Sequence, residues 1–137
     1  MLKPLWTPSE ETKQQANITN FIHVVNNSYG VQIQTYPELW RWSVENIPDF
    51  WATMWEFGGV KASHDFDCVV EDLEVFPGAK WFPGARLNFA ENLLRYRDDH
   101  IAMVFKGENS DPVFMTYEEL YDQVSCLAHF LRQIGVV

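Results

Sequence analysis

A chain of 137 residues has room for one domain of ordinary size, and is too short for an enzyme that must hold a nucleotide, a second cofactor and a substrate together. With 47% apolar and 21% charged residues and no low-complexity tract, wholesale disorder is excluded, and a net charge of -9 argues against general binding to nucleic acid or anionic membranes. That charge is uneven: residues 77–97 hold Lys80, Arg86, Arg95 and Arg97 against Glu91, a +3 island in a chain that is -12 elsewhere.

In chain order, Thr7-Pro8-Ser9-Glu10 reads as a helix start, with Thr7 as cap, Pro8 in the first turn and Glu10 reaching back to the cap amide. Ile18, Phe21, Ile22 and Val25 then follow helical spacing, and Asn26-Asn27-Ser28 with Gly30 should stop the helix. The narrow apolar face suggests a helix on the outside of a larger body. Thr35-Tyr36-Pro37-Glu38 repeats the capping pattern and opens a short helix with Leu39, Trp42 and Ile47 inward and Trp40 pointing elsewhere. Pro48 restarts the chain into a third helix, with Phe50, Trp51, Met54 and Trp55 on one face and Gly58-Gly59 at its end. A stacked Trp51/Trp55 pair could be a platform for a sugar or base, but aromatics at helical spacing more often pack.

Residues 61–80 read as irregular, with Val69, Val70, Leu73, Val75 and Phe76 tucked beneath an acidic loop. His64-Asp65-Phe66-Asp67-Cys68 resembles a metal cluster only briefly, because its ligands are crowded and no distant set completes the coordination. Cys68 and Cys126 lack any CxxC context and read as free thiols of a reducing compartment. Pro77-Gly78 and Pro83-Gly84 mark turns around Trp81-Phe82. Asn88 is a good N-cap with Glu91 three residues on, and Leu93 and Leu94 give the short helix an apolar side. His100–Phe105 and Pro112–Met115 form a hairpin around a loose Gly107–Asp111 loop. Thr116-Tyr117-Glu118-Glu119 is a further capping box, whose helix presents Leu120, Val124, Leu127, Ala128, Leu131 and Ile134 as its core face and closes at Gly135. Val136-Val137 reads as entry to another strand, so the sequence stops where an α/β domain would be starting.

Chemistry-bearing patterns are sparse. No phosphate-binding Gly loop, GxSxG, HExxH or dinucleotide fingerprint is written here. His23, His64, His100 and His129 are scattered, and Asp65/Asp67 and Glu118/Glu119 are more economically a solvated loop and a helix start. Arg86, Arg95 and Arg97 could contact a cofactor phosphate or simply pair with neighbouring acids. The N-terminus has no signal-peptide pattern, no run reaches membrane-spanning length, and cytosol is the default expectation.

Two stretches carry a resemblance. Tyr36-Pro37-Glu38-Leu39-Trp40-Arg41-Trp42-Ser43-Val44-Glu45, running into Asp49-Phe50-Trp51, and Trp81-Phe82-Pro83-Gly84-Ala85-Arg86-Leu87-Asn88-Phe89-Ala90-Glu91-Asn92-Leu93-Leu94 resemble the N-terminal region of the acetyl-CoA synthetase-like branch of adenylate-forming enzymes. Leu94-Arg95-Tyr96-Arg97, in place of an LDRH ending, and Leu5-Trp6 with Pro8 fit the acetoacetate-activating members of that branch. The resemblance runs from about Trp6 to Ile134. It implies an α+β fragment in which N-terminal helices precede a β-hairpin and helix that begin a large α/β domain. It divides the chain into a helical and irregular region, 1–97, and the truncated start of an AMP-binding domain, 98–137. It implies ATP, Mg²⁺ and coenzyme A as the whole enzyme's cofactors, acetoacetate as its substrate, and the missing downstream chain as this segment's partner, with no nucleic acid and no membrane span. The family's ATP loop, nucleotide motif and catalytic Lys all lie downstream, so no catalytic, cofactor-binding or metal-binding residue is expected here. Arg86, Asn88, Glu91 and Asn92 are read as a turn, a cap and structural ties, and the segment alone as inactive. Other readings are a fragment activating acetate, propionate or another short acid, a short non-catalytic interaction module, and a self-standing small domain.

Overall fold

The computed structural model describes residues 5–136, which form six helices and one two-stranded antiparallel sheet among the described residues. They divide into two units: the described residues up to 60 with 65–85, and 61–64 with 86–136.

The first unit is built on α1 (Glu10–Gln15), α2 (Asn17–Tyr29), α3 (Tyr36–Glu45) and α4 (Ile47–Phe57). The first helix is capped by Ser9, which accepts the Thr12 N–H, rather than by Thr7, and Glu10 pairs with Lys13 instead of returning to the cap. Capping at Ser9 sets both Glu10 and Glu11 in the first turn, against the positive helix end. The expected single helix is broken at Ala16, whose extended backbone caps both pieces. Asn26, Asn27 and Ser28 do not stop α2, which ends at Gly30 in the left-handed region at φ 67°. Asn26 does other work: its carboxamide accepts the Ile33 N–H at 2.8 Å and donates to the Ile33 carbonyl at 2.9 Å, closing the α2–α3 connection.

Glu38 turns back onto the amides of Gln34 and Thr35 at 2.8 and 2.9 Å, completing the capping box of α3. Those backbone bonds, first Gln34 and then Thr35, hold its carboxyl below the ordinary value of 4.5, aided by the Thr35 side chain and the charge of Arg41. Leu39 and Trp42 are buried and Trp40 is exposed, as their spacing predicts. Ile47 belongs to α4, not α3, because Asn46 ends one helix and caps the next, leaving Pro48 in the first turn of α4.

Phe21, Val25, Ile33, Leu39 and Trp42 form the core, with Phe50 and Met54 packed against it. The four residues expected on one face of α4 divide between two. Phe50 and Phe57 set their rings on Phe21, while Trp51 packs on Trp81 and Trp55 on Phe66 and Phe82. The segment after Gly59 thereby gains an aromatic anchor although it has no regular element. Its backbone is tied by an isolated bridge between Val70 and Trp81 and by the Asp67 N–H donating to the Pro83 carbonyl. Phe82-Pro83-Gly84-Ala85 closes a turn, with the Ala85 N–H on the Phe82 carbonyl and Gly84 at φ 84°. Val69 and Val70 are half-buried, but Leu73, Val75 and Phe76 are exposed rather than tucked away, Phe76 at 96%.

The second unit contains α5 (Phe89–Leu93), β1 (Ile101–Phe105), β2 (Val113–Thr116) and α6 (Tyr117–Gln133). Asn88 caps α5 by accepting the Glu91 N–H, and Leu94 is buried while Leu93 is half exposed. The strands pair antiparallel, Phe105 opposite Val113 and Val104 opposite Phe114, with an irregularity between Ile101 and Met103. His100 and Pro112 fall outside the strands. Thr116 is at once the last residue of β2 and the cap of α6, its hydroxyl accepting the Glu119 N–H while Glu119 accepts the Thr116 N–H at 2.9 Å. No residue of α6 is fully buried; Leu120, Val124, Ala128 and Leu131 are half-buried, and Leu127 and Ile134, expected in the core face, are 58% and 60% exposed. The helix ends in a Schellman motif, with Gly135 and Val136 donating to the carbonyls of Arg132 and Leu131. The expected entry into a further strand falls on Val137, outside the described residues.

Candidate functional site

The conspicuous residue of the second motif is Asn92. Its Oδ1 accepts the Lys61 N–H at 2.7 Å, and its Nδ2 donates to the Lys61 carbonyl at 2.8 Å and the Asn88 carbonyl at 3.0 Å. A carboxamide presents two N–H donors and two acceptor lone pairs in a plane, so it can substitute for a strand neighbour at one residue and still bond a second carbonyl. Two further ties hold this crossing: the Ser63 N–H donates to the Arg86 carbonyl at 2.7 Å and the Arg86 N–H to the His64 carbonyl at 3.0 Å. Within the motif, Arg86 thus serves through its backbone, Asn88 as cap, and Asn92 as a clamp on residues 61–64.

The structure does not bring Arg86, Arg95 and Arg97 to one place. Arg95 lies over the Tyr96 ring, and Arg97 sits 3.7 Å from the centre of the Tyr121 ring. Arg97 instead joins Lys61 and Arg132 in the wall of a cavity of about 330 Å³, with Glu91, Asn88 and Tyr121 as its other polar lining and Ala90, Leu94, Val124 and Ala128 as its apolar lining. Arg86 and Arg95 do not line it. Lys61 and Arg132 lie 36 residues before and 35 after Arg97 in the chain, so no local spacing signals the cluster. Lys80 pairs with Glu71 at 3.1 Å, both side chains exposed.

The remaining candidates take bland positions. Trp51 and Trp55 each engage separate rings of the first unit. His23 is exposed, His100 contacts Asp98 at 3.1 Å, and His129 contacts Gln133 at 3.0 Å. His64 contributes its backbone to the bridge with Arg86. Asp67 places its carboxylate against Gly84, and Glu119 is consumed by the α6 cap. Among the described residues no three His, Cys, Asp or Glu side chains are grouped to hold a metal ion, and no helix is long and apolar enough to cross a membrane. Cys68 and Cys126 are free and exposed.

A broad apolar surface remains in the second unit. Ile101, Met103, Val104, Phe105, Val113 and Phe114 are 48–68% exposed, although alternate residues of a half-buried strand should be covered. Leu127, Phe130 and Ile134 add a stripe on α6 at helical spacing. Exposed apolar area on this scale marks an interaction surface.

Comparison with known proteins gives this surface a context. Residues 36–93 match the family described as acetyl-coenzyme A synthetase N-terminus. The chain is 36% identical over 135 residues to the acetoacetyl-CoA synthetase of Macaca fascicularis, covering 96% of this chain and 20% of that protein. It is 35% identical to a malonamoyl-CoA synthetase of Penicillium aethiopicum, covering 96% of this chain and 19% of that protein. The structure superposes on acetoacetyl-CoA synthetase from Streptomyces lividans with a TM-score of 0.83 and 38% identity, over 98% of this chain and 21% of that one. The chain thus spans about a fifth of the length of the relatives it matches.

Proposed function

We propose that the chain is the opening part of an ATP-dependent acetoacetate–CoA ligase, because residues 36–93 match the acetyl-coenzyme A synthetase N-terminus family and the chain aligns with about a fifth of acetoacetyl-CoA synthetases. In that reaction the acid's carboxylate attacks the α-phosphorus of ATP and expels pyrophosphate; the thiol of coenzyme A then displaces AMP to give the thioester. This segment supplies scaffold. Asn88, Asn92 and the Arg86 backbone fix the path of residues 61–64 and 86–94, and the hairpin with α6 offers its exposed apolar side to the remainder of the adenylation domain. Residues 98–137 are the start of that domain and 1–97 the region preceding it. No residue here takes a catalytic or cofactor-binding role in the ligation. The described residues do not offer a donor set suited to Mg²⁺, and no step is assigned through that ion in this segment. The cytosol is the expected compartment.

The observation that carries the reading is the superposition over 98% of this chain on only 21% of a synthetase, joined to an apolar hairpin face exposed in the isolated segment. The malonamoyl-CoA synthetase relative keeps another acid open as substrate. Two measurements test the reading. Antibody raised against residues 1–137 should capture from native extract a species several times larger than this chain, with acetoacetate-dependent ATP–pyrophosphate exchange, while the 137-residue chain alone shows exchange at background. Capture of this chain alone would refute it, and co-capture of a separate longer enzyme would favour an interaction module.

A further inference from the structure

We propose that the cavity between α5 and α6 is a binding site for a phosphoryl oxyanion, distinct from any step of the ligation and independent of the ligase reading. Three cations from three separate parts of the second unit, Lys61, Arg97 and Arg132, line it against one acid, Glu91. In a chain with 19 acidic and 10 basic residues, such a concentration of positive charge runs against the composition. None of the three cations makes an ion pair among the described residues, whereas Lys13 and Lys80 each do. Among the described residues, then, no carboxylate is paired with these charges.

The surroundings suit an oxyanion arriving from solvent. Arg97 is held through the face of its guanidinium by the Tyr121 ring at 3.7 Å, a contact that leaves the in-plane N–H fork for a tetrahedral or planar oxyanion. Ala90, Leu94, Val124 and Ala128 make the apolar part of the wall, Leu94 only 5% exposed, while Lys61, Arg97 and Arg132 are themselves exposed and so accessible to an ion from solvent. A volume of about 330 Å³ admits inorganic phosphate or the phosphate end of a larger molecule. Two arginines and a lysine suit a dianion better than a single carboxylate, and Glu91 sets an opposing charge that limits affinity.

The test is calorimetric titration of the full chain with inorganic phosphate, against chloride at equal ionic strength. One saturable site per chain is expected. Arg132→Gln should weaken it about tenfold or more, as expected for a lost charge-assisted bond. Glu91→Gln should tighten it about threefold by removing a like charge, a gain that misfolding cannot mimic. Lys13→Gln, which makes the same charge change as Arg132→Gln but outside the cavity, should leave it unchanged. Nucleoside monophosphate binding with the same response to Arg132→Gln and Glu91→Gln would identify the source as the phosphate of a larger ligand; binding of inorganic phosphate alone would identify the free ion. Absence of saturable heat, or an affinity indifferent to both Arg132→Gln and Glu91→Gln, overturns the proposal.

Discussion

Asn92 offers the sharpest test of the structural reading. Asn92→Ala removes two bonds to the Lys61 backbone and one to Asn88. A net hydrogen bond contributes about 0.5–1.5 kcal/mol, and Lys61 is exposed enough for water to replace its lost partners, so about 1–2 kcal/mol is expected. Asn92→Asp is the more demanding case. One carboxylate oxygen can still accept the Lys61 N–H, but the other then faces the Lys61 and Asn88 carbonyls where Nδ2 donates at 2.8 and 3.0 Å. Three oxygens in that space repel, so the charged variant should be less stable than Asn92→Ala at neutral pH, by about 1 kcal/mol. The same repulsion raises the variant's carboxyl pKa above its unfolded value. Protonation then favours the folded state, and the deficit should shrink as pH falls through the raised value. Urea denaturation at pH 7 and pH 4, with hydrogen exchange at the Lys61 amide, measures both effects. The reasoning fails if Asn92→Ala leaves stability and Lys61 exchange unchanged, or if Asn92→Asp equals Asn92→Ala at pH 7.

Gly84→Ala should destabilise the first unit by about 2–3 kcal/mol. A left-handed non-glycine residue costs about 1–2 kcal/mol, and the new Cβ would stand 2.5 Å from an Asp67 oxygen, which forces that side chain to shift. In an Asp67→Ala background only the backbone part should remain, and tryptophan fluorescence from Trp51, Trp55 and Trp81 follows the transition; an equal loss in both backgrounds would remove Asp67 from the account. Glu38 binds its proton more weakly in the folded chain, so its contribution is present above the unfolded value of 4.5 and is lost as pH falls through the lowered folded value. Glu38→Gln should flatten that part of the acid profile, read from the Gln34 and Thr35 amide shifts, and an unchanged profile would discount the cap. Thr116→Ala should cost about 1 kcal/mol and fray the first turn of α6, measurable by amide exchange at Glu119.

Local chemistry in the sequence reaches a definite distance. The boxes at Thr35 and Thr116, the cap at Asn88 and the stop at Gly58-Gly59 are legible because donor, acceptor and backbone bend lie within a few residues. The break at Ala16 is not, since alanine is a strong helix former; it is marked in the structure by the Ala16 N–H on the Lys13 carbonyl and the Thr19 N–H on the Ala16 carbonyl. The division of Trp51 and Trp55 from Phe50 and Met54 escapes a one-face pattern because α4 lies between two layers of rings. Phe82, at φ 49°, carries no signal in its residue type, and its conformation is held by its bond to Val69 and its packing on Trp55. The cationic cavity is invisible locally, and of the plain +3 island only Arg97 lines it. Leu127 and Ile134 have the correct period for a buried stripe and are nonetheless exposed, because periodicity reports an apolar face and not whether another element packs on it.

The shared role of Thr116 makes the junction of β2 and α6 intolerant of added length. There is no linker to absorb a change: the residue that ends the hairpin ladder also sets the first turn of the helix. One extra residue after Met115 would either carry the strand's alternation to its opposite side or rotate the helix by about 100° about its axis. The rotation would swing Tyr121, Val124, Ala128 and Arg132 together out of the wall they share. Extra residues in the exposed Gly107–Asp111 loop change neither phase. Divergence in length within this segment should therefore collect at the tip of the hairpin and be absent from its base, which acts as a fixed angular reference for whatever is built onto α6.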